Sequence, residues 1–161
     1  WAQLVDVKNI QLFPLAHERT QELTPALKIT PFRVPHRDEF SETVGYKIEG
    51  AYQSALFIPD INKWSQWSVS IKEQVKAVDY ALIDATFYED GEIPRPMSEV
   101  PHPFIEETLA IFKDATSAVK SKIYFIHFNH SNPMLNADHT VRKKLEAEGY
   151  NFTYTNQILP L

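Results

Sequence analysis

Apolar and polar positions along this chain follow two different periods, and together they predict its elements. Val44, Tyr46 and Ile48 alternate with Gly45, Lys47 and Glu49, the period of two of a half-buried strand. Gly50-Ala51-Tyr52-Gln53 predicts a hairpin turn and Ala55 to Pro59 the returning strand. Trp64, Trp67, Ile71, Val75 and Val78 recur at steps of three and four, which predicts one amphipathic helix covering a sheet. Tyr80 to Phe87 and the run from Ile123 to His127 show neither period. Such unbroken β-branched and aromatic stretches read as strands buried on both faces, the second closed as a turn by Ser131-Asn132-Pro133. Phe104, Thr108, Ile111, Phe112, Ala115 and Val119 predict a second helix, entered through His102-Pro103. Asp138 to Glu148 predicts a third, closed by Gly149, and Tyr150 to Tyr154 a last strand.

The first third is less regular. Trp1 to Ile10 reads as a helix end or a short connection, and Asn9 to Leu15 as a strand that Pro14 confines to an edge. His17 to Thr24 is polar and turn-like, and Leu27 to Pro35 resumes strand character. His36 to Thr43 is a dense polar loop, and Tyr88 to Pro103, with four prolines and one glycine, predicts a long ordered loop of the kind that carries function. Helices interleaved with buried strands make the chain α/β, with no internal repeat.

Composition narrows the function classes. A chain of 161 residues suits one domain rather than two. Its net charge of −5 is spread along the sequence, which leaves no basic field for nucleic acid and no polybasic anchor for a membrane. No apolar run reaches the roughly 20 residues that a membrane helix needs. With no cysteine, disulfides, thiolate metal sites and a cysteine nucleophile are excluded. The compartment stays open between cytosol and periplasm, the cytoplasm being the expectation. Phosphate-cradling glycine motifs, a Gly-x-Ser-x-Gly elbow and His-Glu-x-x-His are all absent. The start at Trp1-Ala2-Gln3 reads as cut from something longer.

The chemistry-bearing residues collect where apolar runs end. His127 ends the run from Ile123, His36 follows Ile29 to Pro35, and Asp60 follows Ser54 to Pro59. Ligands of open α/β sheets gather outside the carboxyl ends of strands, so these three are expected to converge. Imidazole nitrogen and carboxylate oxygen suit zinc, manganese or iron, and a cation so held lowers the pKa of bound water to about 7. Each residue also has a structural reading. His36 fits a surface loop, Asp60 fits an N-cap of the tryptophan-bearing helix, and His127 fits a buried, hydrogen-bonded histidine. Asp84 either orients a liganding histidine or binds loop amides. His102, at a helix entrance, is placed to bind substrate, shuttle a proton or cap. Asn129, His130 and Asn132 either line the pocket or form the turn, and His139 is expected to be an exposed helix-start residue.

Val34-Pro35-His36-Arg37-Asp38-Glu39-Phe40-Ser41-Glu42-Thr43-Val44-Gly45-Tyr46, Leu56-Phe57-Ile58-Pro59-Asp60 and Ile126-His127-Phe128-Asn129-His130-Ser131-Asn132-Pro133 resemble the second half of a metallo-β-lactamase-fold hydrolase. The resemblance runs across nearly the whole chain. It is strongest to the coenzyme PQQ-biosynthesis protein B-like branch, with tRNase Z and cyclic phosphodiesterases further away.

It implies the second half of an αβ/βα sandwich, with a mixed sheet and helices on its outer face, residues 1–161 forming a single domain or half-domain. By the resemblance His36, Asp60 and His127 are metal ligands, Asp60 bridging two metals and orienting the reactants. His102 assists the leaving group. Asp84, Asn129, His130 and Asn132 stand behind the ligands or in the pocket. The implied cofactor is zinc, dinuclear in the complete protein, with iron or manganese as alternatives. The implied reaction is attack of metal-bound hydroxide on an ester, lactone or phosphodiester. A non-catalytic binding module of the same fold and an iron-dependent PQQ-pathway enzyme are the alternatives.

His-x-His-x-Asp-His, the main metal motif of that fold, does not occur in the sequence. The expectation is therefore that the chain alone is inactive and that its partner is the other half of the fold, in the same or a separate chain. Its other partners are expected to be a small-molecule or phosphodiester substrate and, as one possibility, a second copy of itself.

Overall fold

The structure, a computed structural model, describes residues 1–39 and 41–161. Phe40, within the polar loop expected after His36, lies outside the described residues. Seven strands form one mixed sheet in sequence order: β1 (Gln21–Thr24), β2 (Leu27–Arg33), β3 (Val44–Glu49), β4 (Ser54–Ile58), β5 (Tyr80–Asp84), β6 (Ile123–Ile126) and β7 (Asn151–Phe152). β1 to β4 are successively antiparallel and are joined by loops, whereas β4 to β7 are parallel and need crossovers.

Helices supply those crossovers. A short helix, α1 (Ala2–Asp6), precedes the sheet. α2 (Ile71–Lys76) links β4 to β5, α3 (Ile105–Phe112) and α4 (Ser117–Lys120) link β5 to β6, and α5 (Thr140–Ala147) links β6 to β7. This matches the α/β class and the mixed sheet expected from the sequence. β2, β4, β5 and β6 all point the same way, so their carboxyl ends share one rim of the sheet.

Burial follows the pleat. Leu56 and Ile58 of β4, Ala81 and Ile83 of β5, and Ile123 and Phe125 of β6 form one core with Ile71 and Val75 of α2, Ile105 and Phe112 of α3, and Leu145 of α5. Phe57, Leu82 and Tyr124 share the opposite face and are only half-buried, so the central strands are covered fully on one face rather than both.

Four other expectations are corrected. The helix expected from Trp64 to Val78 is broken: a 3-10 turn spans Trp64–Gln66, the chain is extended at Trp67, and α2 begins only after Ser70. Ser68 and Ser70 favour turns and caps over helix interiors, and Ser70 Oγ accepts the Glu73 amide at 3.4 Å. The two tryptophans keep their apolar role by other means. Trp64 Nε1 donates to Thr108 Oγ1 at 2.9 Å, and Trp67 stacks on Phe32 with ring centroids 5.7 Å apart.

The helix expected from Phe104 to Val119 divides between α3 and α4, where Asp114 and Thr116 are poor interior residues. Asn9 to Leu15 forms no strand, and Leu12 and Phe13 lie exposed. β1 forms instead within the polar stretch, with all four residues exposed. It is an edge strand held by its ladder to β2, which leaves no apolar pattern to read.

One glycine is required by a close approach. Gly45 is paired with Phe32 across the ladder, and a Cβ at Gly45 would stand 2.6 Å from the Phe32 ring and 3.1 Å from Ile58 Cγ1. The Phe32 ring has little freedom to retreat because it stacks on Trp67. Gly45→Ala is expected to lower the urea midpoint, a loss of about 1–3 kcal/mol, with an unchanged denaturant slope; an unaltered midpoint would show that the ring yields.

Candidate metal centre

The rim at the carboxyl ends of β2, β4, β5 and β6 receives the candidate residues. His36 lies three residues past β2, Asp60 two past β4, Asp84 closes β5 and His127 follows β6 directly. The Asn62 amide donates to the Pro35 carbonyl at 2.7 Å and the Asn129 amide to the Thr86 carbonyl at 3.0 Å, so neighbouring strand-end loops are tied by backbone. His127 has φ +63°, a left-handed conformation that costs an L-residue other than glycine about 1–2 kcal/mol. It turns the chain out of β6 at once and holds the ring at the rim.

The side chains converge. Asp60 Oδ1 lies 3.2 Å from His36 Nε2 and 3.5 Å from His102 Nδ1. The ring of His102 stands 5.6 Å from that of His36 and 5.6 Å from that of His127, centroid to centroid. One donor atom each from Asp60, Asp84, His102 and His127 lie within 4.8 Å of one another, and His36 joins this group through Asp60.

Asp84 is completely buried and fully bonded. Its Oδ1 accepts the Thr86 amide at 2.9 Å and the Thr86 hydroxyl at 2.7 Å. Its Oδ2 accepts the Ile61 amide at 3.1 Å and pairs with His102 Nδ1 at 2.8 Å. Burial pushes the Asp84 carboxyl up, but the hydrogen bonds from His102 and Thr86, with the His127 ring 3.7 Å away, outweigh it and hold the group below the ordinary carboxylate range. His127 is held above the usual imidazole range, first by the Asp84 carboxylate, whose Oδ1 lies 3.7 Å from its Nδ1, against its partial burial, and further by the charge of Asp60.

Two features fit a cation. Asp60 Oδ1 is buried and has no hydrogen-bond partner among the described residues, an arrangement costly for a carboxylate. His36 Nδ1 lies 3.0 Å from Asn62 Oδ1, while the Asn62 amide nitrogen donates to Gln66 Oε1 at 3.1 Å. An amide oxygen only accepts, so in the neutral ring Nδ1 carries the proton and the Nε2 lone pair is on the Asp60 side. Two acceptors 3.2 Å apart are reconciled by a positive ion between them, and this nitrogen and oxygen donor set suits zinc, manganese or iron.

The structure thus gathers His36, Asp60, His127, His102 and Asp84. Asp60 does not cap α2, a role that Ser70 takes. Asp84 binds the Ile61 and Thr86 amides, one of its two expected readings, and pairs with His102 rather than hydrogen-bonding an expected ligand histidine. Asn132 is buried and clamps the turn, donating to the Ala85 and Thr86 carbonyls and accepting the Met134 amide. Asn129 binds Ser131 Oγ at 2.6 Å, and His130 is exposed, with no hydrogen bond to the cluster among the described residues. His139 takes the N-cap position of α5 and is half-buried rather than exposed. Asn62 and Thr86 escaped the sequence reading. Each stands two residues past a singled-out acid, in Asp60-x-Asn62 and Asp84-x-Thr86, the only signal that could have found them.

The family described as Beta-lactamase superfamily domain matches residues 2–128. The chain belongs to that superfamily. Among superfamily relatives, Coenzyme PQQ synthesis protein B of Gluconobacter oxydans is 28% identical over 77% of this chain and 45% of its own length. The protein of the same name from Methylorubrum populi is 28% identical over 91% of this chain and 54% of its own. The chain therefore spans about half the length of the curated relatives it matches. The Zn2+-bound PqqB of Methylobacterium extorquens superposes with a TM-score of 0.68 at 25% identity, covering 91% of this chain and 51% of that one. Igni18, a metallo hydrolase of Ignicoccus hospitalis, shares the fold, with a TM-score of 0.55 at 16% identity over 94% of this chain and 60% of its own. No described helix of this superfamily member is long and apolar enough to cross a membrane.

In the metal-free protein, Asp84 has a depressed pKa in the folded state. Its stabilisation is therefore complete above the unfolded value of about 3.9 and is lost as pH falls through the folded value. Asp84→Asn is expected to destabilise by about 3–5 kcal/mol near neutrality, since it opposes an amide to donors in a buried site. Urea unfolding of both proteins should show that difference shrinking below about pH 4; a difference independent of pH would refute an ionised Asp84.

Proposed function

We propose that this chain carries the metal-binding rim of a hydrolase whose substrates are esters, lactones or phosphodiesters. One observation supports the reading above the others: the buried, unpartnered Asp60 oxygen lies between His36 Nε2 and His102 Nδ1 at the common rim of four strand ends. His36, Asp60 and His127 would hold the cation. Zinc is favoured because a relative of matching fold is described as Zn2+-bound, and a dinuclear centre would need donors beyond these three.

A bound divalent cation supplies Lewis acidity and lowers the pKa of a water to about 7. The protein supplies the rest. Asp60 contributes negative charge at the centre of the site and fixes His36 on one side. Asp84 holds His102 through Nδ1, leaving Nε2 to deliver a proton to the leaving-group oxygen. Asp84 itself is too deeply buried to meet substrate.

With the chain spanning about half of its relatives' length, the substrate pocket and any further ligands are proposed to come from the other half of the fold. The Asp60 and histidine cluster favours hydrolysis over a purely binding role, because a binding face has no need of a buried carboxylate oxygen without a partner among the described residues.

Metal analysis of the purified protein should find zinc, iron or manganese that is lost in Asp60→Ala and His127→Ala with far-UV circular dichroism retained. His102→Ala should keep its metal and, in a protein that holds both halves of the fold, lose about 10²–10⁴-fold in kcat. Metal content unmoved by Asp60→Ala and His127→Ala would remove the proposal.

A further inference from the structure

Thr86 is not used by the proposed hydrolysis, yet it touches three of the residues that matter. It is buried two positions past the end of β5. Its Oγ1 lies 2.7 Å from Asp84 Oδ1, 2.9 Å from His127 Nδ1 and 3.2 Å from His102 Nδ1. A hydroxyl has one proton and two lone pairs, so these contacts cannot all be donated. Asp84 decides where the proton goes. As a carboxylate it only accepts, and it already takes the Ile61 and Thr86 amides and His102 Nδ1. The Thr86 proton therefore points to Asp84 Oδ1, its shortest contact. With that proton committed, the oxygen can meet His127 only as an acceptor, and His127 Nδ1 must be protonated.

We propose that Thr86 is a positioning residue that sets the tautomer of His127: by donating to Asp84 and accepting from His127 Nδ1–H, it leaves Nε2 as the lone-pair atom of that ring. Free histidine in water favours the opposite tautomer, with the proton on Nε2. Without Thr86 the ring would present the wrong nitrogen or lose its orientation. The assignment stands on the hydrogen-bond distances around Thr86, and only its consequence for cation binding rests on the function proposed above. Asn62 does the same for His36 through its amide oxygen, so two rings at opposite ends of the histidine row are fixed by neutral acceptors. A neutral acceptor holds the proton on Nδ1 without adding charge to the site.

The test is long-range proton–nitrogen NMR of ¹⁵N-histidine-labelled protein, metal-free and at alkaline pH, with zinc titrations alongside. Wild type and Thr86→Ser should show His127 protonated at Nδ1. Thr86→Val, which keeps the shape and removes the hydroxyl, should move the proton to Nε2 and weaken zinc binding about 10–100-fold, with Thr86→Ser restoring it. If Thr86→Val does not fold, the wild-type and Thr86→Ser spectra decide alone. A wild-type ring protonated at Nε2 overturns the proposal, as does zinc affinity unmoved by the tautomer change. A tautomer that follows Thr86 in a protein binding no zinc would uphold the positioning and refute the metal reading instead.

Discussion

A buried carboxylate governs the geometry of the rim. Asp84 has no exposure to solvent, and a charge so placed is tolerated only if every lone pair is answered. Its four donors come from three segments: the Ile61 amide past β4, the Thr86 amide and hydroxyl past β5, and His102 before α3. Satisfying one anion therefore fixes three loops relative to one another. His127 is drawn in through Thr86, and Asp60 lies one residue from the Ile61 amide that binds Asp84.

The sheet makes this convergence inexpensive in structural terms. β4, β5 and β6 are parallel neighbours, and β2 points the same way across β3, so four carboxyl ends emerge along one edge without any long excursion of the chain. Where the geometry demands more, local strain supplies it. His127 takes a left-handed backbone immediately after Ile126, and Asn132 holds that turn against the Ala85 and Thr86 carbonyls. The core beneath is formed by the alternate residues of the same strands, so the rim stands directly on the main buried cluster.

How much of this was legible in the sequence depended on whether a signal was local. The strand at Val44 is legible from its alternation and those at Tyr80 and Ile123 from unbroken runs of β-branched and aromatic residues, with those at Leu27 and Ala55 beside them. β1 is not, because an exposed edge strand is specified by its partner's free backbone groups rather than by its own side chains. The tryptophan helix does not form because Trp64 is buried and Trp67 half-buried by tertiary contacts, to Thr108 and Phe32, that happen to share a helical spacing with α2. At the site, His36, Asp60 and His127 were visible as polar residues ending apolar runs. Asn62 and Thr86 were not, since an amide and a hydroxyl near strand ends are ordinary loop residues until a histidine ring is placed against them.

The central claim is that imidazoles from separate strand ends and the Asp60 carboxylate bind one cation. X-ray absorption at the zinc edge of the zinc-loaded protein examines this directly. The account predicts a first shell of nitrogen and oxygen at about 2.0–2.2 Å, with the outer-shell scattering of at least two imidazole rings. A shell of oxygen alone, without imidazole scattering, would contradict it.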